Sequence, residues 1–139
     1  MPDFGYLTRL WRSNTIIWQN KLSPICSSFG VTYVDRVILD ELSIRGPQTK
    51  RQLAENLGTI HQNLTRSIKR LQEQHLVSAT EVENDMRRLK IEITKQGLIV
   101  NRNINDSINK EWEKILLNAS SADLKAFTKI LELGSEPLS

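Results

Sequence analysis

Cysteine is almost missing from this chain: Cys26 is the one thiol in 139 residues. That excludes an intrachain disulfide framework and suits a reducing compartment. One cysteine and two histidines also fall short of a structural zinc site, so no metal is expected. No stretch approaches the roughly 18–20 consecutive apolar residues of a membrane span. The opening residues are polar and charged, without an apolar signal core, so a cytoplasmic protein with no membrane attachment is expected. Catalytic signatures are missing as well. There is no nucleophile elbow, no phosphate-binding glycine loop and no pair of catalytic carboxylates, so the chain reads as a non-enzyme that needs no cofactor.

What is present is enough apolar material for a core, 39% of residues, and a length that supports one domain with room for dimerisation helices. The net charge is +3, and its distribution matters more than its size. Residues 48–102 hold 10 Lys and Arg against 6 Asp and Glu, while residues 103–139 hold 4 against 6. The positive excess therefore sits in the middle of the chain, where a phosphate-facing module would need it.

Apolar spacing divides the chain. Phe4, Leu7, Trp11, Trp18 and Leu22 fall mostly three to four apart, an amphipathic helix, and Pro24 and Gly30 bracket its end. Thr32 to Asp35 forms a weak capping box for a second helix with the apolar face Val34, Val37, Ile38 and Leu42 (Leu39 beside it), stopped by Gly46-Pro47. Thr49 and Gln52 form another capping box, and the short helix after it buries Leu53, Ala54 and Leu57 before Gly58. The next helix spans roughly 60–75, with Leu64, Ile68 and Leu71 inward. Its outer face is almost entirely hydrogen-bonding: His61, Gln62, Asn63, Thr65, Arg66, Lys69 and Arg70. Val77 to Glu81 and the alternating run Arg88 to Ile93 then read as a hairpin around Asn84-Asp85. Thr94 caps a further helix through Ile104, Ile108, Trp112 and Ile115, and Ser120-Ser121 caps the last.

Helix, tight turn, helix and basic hairpin is the order in which a small domain reads a duplex: helix in the major groove, hairpin at the neighbouring backbone or minor groove. The expected fold is mostly α with a small β-hairpin wing, a winged helix-turn-helix with helical dimerisation arms. Its expected parts are an N-terminal dimerisation helix (1–30), a DNA-binding lobe (31–100) and C-terminal dimerisation helices (101–139).

On these segments the chain resembles the MarR family of transcription regulators, including its SlyA branch. Leu53-Ala54-Glu55-Asn56-Leu57-Gly58 resembles the family's first helix of the helix-turn-helix, and Leu64-Thr65-Arg66 with Arg70-Leu71 its recognition helix. Asp85-Met86-Arg87 and Ile93-Thr94-Lys95-Gln96-Gly97 resemble its wing signature. Met86 stands where the family has the first wing Arg, Ile60 stands near its usual Ser/Thr cap with Thr59 the alternative, and His75 where it usually has Gly. The resemblance implies a homodimeric repressor on a pseudo-palindromic duplex, released by a small aromatic effector held between arms and lobe.

Arg66 is the first candidate for guanine N7/O6 or a phosphate, and Gln62 and Asn63 suit adenine. His61 suits a phosphate or a base, while Thr65, Lys69 and Arg70 suit backbone phosphates. Arg87 is the wing candidate, because a narrow minor groove attracts Arg, with Arg88 and Lys90 in support and Asp85 orienting an Arg or capping the turn. Trp11 and Trp18 (with Trp112) are candidates for an effector wall or for plain dimer packing. Cys26 raises an oxidation switch, with a structural thiol as the alternative. A winged helix that contacts protein is the rival reading, although the outward face lacks the apolar anchors of a protein hot spot.

Overall fold

The structure is a computed structural model that describes residues 3–59, 61–82 and 85–135, with the backbone alone described at 61 and 85–87. Among the described residues six helices and three strands follow in order: α1 (Phe4–Ser28), α2 (Tyr33–Arg45), β1 (Gln48–Thr49), α3 (Lys50–Leu57), α4 (His61–Glu73), β2 (Val77–Val82), β3 (Asp85–Ile93), α5 (Lys95–Leu116) and α6 (Ser121–Gly134). The expected mostly helical, winged helix-turn-helix class is the one observed. The chain forms two compact units, Met1–Asn105 and Asp106–Ser139, with the division inside α5.

In the first unit the capping signals act as read. Thr32, Thr49 and their partners Asp35 and Gln52 make reciprocal capping boxes at the starts of α2 and α3. The core gathers Ile38, Leu39 and Leu42 of α2, Leu53 of α3, Leu64, Ile68 and Leu71 of α4, Ile91 of β3 and Ile104 of α5, all 1% exposed or less. The i, i+4, i+7 spacing of α4 thus gives its inward face directly. The strands form one antiparallel sheet in the order β1-β3-β2. Val77 pairs with Ile93 and Glu81 with Leu89, and the register shifts between Glu81 and Val82.

Three local expectations change. Helix α1 does not end at Pro24 but runs through it to Ser28. One proline forfeits one backbone bond, whereas the turn beyond it buries Cys26 completely. The helix closes only at Gly30, where Gly30 N–H donates to Ser27 and Val31 N–H to Cys26. The inward face of α2 is Asp35, Ile38, Leu39 and Leu42, while Val34 is about half exposed. The hairpin gains a third strand, because Gln48 and Thr49 pair with Ile91 and Lys90. Asn84 of the turn signal lies outside the described residues.

The junction after α4 is tightly built. His75 takes φ +60°, the left-handed conformation that a glycine would adopt there without strain. Its N–H bonds the Gln72 carbonyl, and Leu76 N–H the Leu71 carbonyl, a Schellman closure. Thr94 binds back onto this turn, its hydroxyl donating to the His75 carbonyl and its N–H to that of Leu76. The same hydroxyl accepts from Gly97 N–H and caps α5. A side chain at Gly97 would collide with the Leu76 carbonyl oxygen and Ile93, which gives a packing reason for a Thr-x-x-Gly run at this position.

The second unit contains α6, which starts at a Ser120–Asp123 capping box and has no buried residue. Trp112 and Phe127 meet at 6.4 Å between ring centroids.

Leu71→Ala should lower unfolding free energy by about 2–5 kcal/mol in urea titrations, since it opens a cavity at a fully buried site. Gly97→Ala should cost about 1–3 kcal/mol by overpacking, and an unchanged midpoint would refute the close approach of α5 to Leu76.

Candidate nucleic-acid interface

Helix α4 turns a stripe of Gln62, Thr65, Arg66 and Lys69 to the solvent, with Asn63 beside it. These positions, spaced i, i+3, i+4 and i+7, share one helix face. Asn63 donates to the Thr59 hydroxyl at 3.3 Å, which ties the first turn of α4 to the turn that precedes it. Among the described residues, neither Arg66 nor Lys69 has an ion-pair partner. On strand β3, Arg88 and Lys90 are exposed and likewise unpaired among those residues. The side chains of His61, Asp85 and Arg87 lie outside the described part of the chain.

The helix before α4 is set by a second polar contact. Gln48 is buried; its carbonyl oxygen accepts from Asn56 Nδ2 at 2.8 Å, and its amide donates to the Gly46 carbonyl. The end of α3 is thereby tied to β1, and the helix-turn-helix is held against the sheet.

Arg70 differs from its neighbours. Its Nη2 donates to Asp35 Oδ1 at 2.9 Å and its Nε to Oδ2 at 3.3 Å, with Ser67 Oγ at 3.1 Å. Asp35 is 1% exposed. Burial pushes its carboxyl upward. The Arg70 hydrogen bonds, the Thr32 N–H, the Ser67 hydroxyl and the Arg70 charge outweigh burial and hold it below the ordinary carboxylate value. One residue therefore does two jobs, capping α2 and anchoring α4. Sequence reading reached the cap and missed the anchor. The available signal was a carboxylate at the first place of an i, i+3, i+4, i+7 apolar stripe, which demands a partner when buried.

The remaining candidates fall elsewhere. Cys26 is fully buried, and burial raises its thiol pKa against the lowering effect of Arg36. Both features oppose the thiolate that an oxidation switch needs. On α1, Trp11 is about half exposed and Trp18 has the Lys21 ammonium 5.5 Å from its ring. No described helix is long and apolar enough to cross a membrane.

Helix, tight turn, exposed helix and antiparallel wing define a winged helix-turn-helix. Residues 29–88 match the model of the MarR family. Solved structures are similar over nearly the whole length. RV1404 from Mycobacterium tuberculosis is 21% identical, with a TM-score of 0.79, covering 100% of this chain and 99% of that one. Wild-type apo MarR from E. coli is 16% identical at 0.79, covering 98% of each. AbsC, a MarR family transcriptional regulator from Streptomyces coelicolor, is 22% identical at 0.76, covering 94% and 91%. At these identities the likeness is one of fold.

A carboxyl held down in the folded state stabilises above its unfolded pKa, and that stability is lost as pH falls through the folded value. Unfolding free energy should therefore drop below about pH 4, and Asp35→Asn should flatten that part of the pH profile. An equally steep acid profile in Asp35→Asn would refute the ionised pair.

Proposed function

We propose that this protein is a homodimeric, sequence-specific regulator of transcription, a repressor that binds a pseudo-palindromic duplex. The observation that carries the reading is the outward stripe of α4: hydrogen-bonding side chains together with two cations that no described carboxylate neutralises. Such a face suits a groove edged by phosphates better than a protein surface, which would favour buried aromatic anchors.

In this reading Gln62, Asn63 and Arg66 meet base edges in the major groove, with His61 near the helix start. Thr65 and Lys69 meet phosphates. Arg87 and Arg88 of the wing, oriented by Asp85, reach the adjacent backbone or minor groove. The apolar faces of the terminal helices support pairing with a second copy. Helix α1 buries one residue, Cys26, and leaves Phe4, Leu7 and Trp11 half or more exposed, while α6 exposes Ile130 and Leu133 to similar degrees. A two-fold mate would cover them and set two recognition helices about one helical turn of DNA apart. Bound near a promoter, the dimer would exclude polymerase. A small aromatic effector that favours another arm geometry would release it, with Trp11 and Trp18 as candidate contacts.

The test is binding to duplexes from the protein's own upstream region, at two salt concentrations, against random competitor. Competitor-resistant binding with a footprint of about two helical turns is expected; binding that random duplex abolishes on every fragment would contradict a sequence-specific reader. Arg66→Ala should cost about 1–3 kcal/mol at one operator position, whereas Lys69→Ala should weaken all duplexes alike and lower the salt slope by about one. A monomeric mass at micromolar concentration would defeat the dimer.

A further inference from the structure

The last turns of α4 are tied to the corner between α1 and α2. Arg70 binds Asp35 through two nitrogens, and one turn later Gln74 Nε2 donates to the Gly30 carbonyl. Both anchors lie within residues 30–35. That corner is itself fixed by the closing bonds of α1, from Gly30 and Val31 to Ser27 and Cys26, and by the Thr32–Asp35 capping box.

Apolar packing of Leu64, Ile68 and Leu71 holds α4 on the core but is non-directional. A side-on pair of a planar guanidinium with a buried carboxylate is directional, and it sets both tilt and rotation. Gln62 lies about 12 Å along the helix axis from Arg70. A tilt of about 10° at Arg70 would move it by about 2 Å, several times the roughly 0.5 Å range of a good hydrogen bond.

We propose that Arg70 is a positioning residue and not a phosphate contact: with Asp35 it fixes the angle at which α4 offers Gln62, Asn63 and Arg66 to base edges. Resting on the DNA-binding reading above, it makes the Asp35–Arg70 pair a determinant of sequence discrimination that touches no base. A shift of the α1–α2 corner would reach the reading face through the same two links.

The test uses the full-length protein with Asp35→Asn, Arg70→Lys, Arg70→Gln and the Asp35→Asn/Arg70→Gln double variant. Affinity for operator and random duplex is measured across a salt series, with denaturant unfolding run alongside. Arg70→Lys keeps the charge and the fold while losing the two-pronged geometry. Each single variant should lose about tenfold or more on the operator and less than about threefold on random duplex, with the salt slope unchanged within about half a unit. The double variant should be no weaker than the worse single one. A wild-type-like Arg70→Lys, together with an Arg70→Gln that loses about one unit of slope on every duplex, would make Arg70 a phosphate contact and overturn the proposal. Variants that unfold earlier but bind the operator like wild type would overturn it too, leaving a purely structural pair. Failure of the unmodified protein to prefer any duplex would instead defeat the DNA-binding reading itself.

Discussion

Burying the Asp35 carboxylate costs several kcal/mol of solvation unless charge and hydrogen bonds replace the lost water. Here the Thr32 N–H, the Ser67 hydroxyl and the two-pronged Arg70 guanidinium replace it. That requirement shapes the lobe. It places a charged side chain on the inward face of α2, draws Arg70 away from the exposed stripe of α4, and joins the start of one helix to the end of another. Truncating Arg70 would leave the Asp35 carboxylate buried and unanswered, whereas Arg70 itself is part-exposed and can reach water. The exposed stripe then keeps Arg66 and Lys69 as its cations.

The wing is placed by a separate set of contacts. The turn after α4 closes with His75 in a left-handed conformation, and Thr94 binds the carbonyl of His75 and, through its N–H, that of Leu76. The start of α5 can come this near only because Gly97 carries no side chain. Strand β3 runs between β1 and β2 into this junction, so the sheet that carries Arg88 and Lys90 is fixed to the end of α4. Helix and wing thus share one small polar hub, whereas the terminal helices present apolar faces suited to another copy.

Much of this was legible in the sequence, and the exceptions have physical reasons. Helix α4 could be read because Leu64, Ile68 and Leu71 repeat at the helical period while their neighbours are polar. The starts of α2, α3 and α6 could be read because a capping box is local chemistry. His75 stood out as a residue in a glycine's place. Strand β1 could not be read, since two residues carry no period. The reach of α1 past Pro24 depends on burial of Cys26, a tertiary effect that outweighs a local breaker. Asp35 belonged to a polar category on an apolar stripe, and only its partner 35 residues away explains it. The exposed residues of α4 were legible as a face, whereas the turn of Arg70 toward Asp35 has the same long-range cause.

The central claim is that the outward face of α4, with the wing beside it, is the surface that meets a duplex. Backbone NMR of the protein titrated with an operator fragment tests it residue by residue. The account predicts the largest shifts at Gln62, Asn63, Thr65, Arg66 and Lys69, with a second set at Arg88 and Lys90. Specific binding that perturbs other surfaces while leaving those amides unmoved would contradict it.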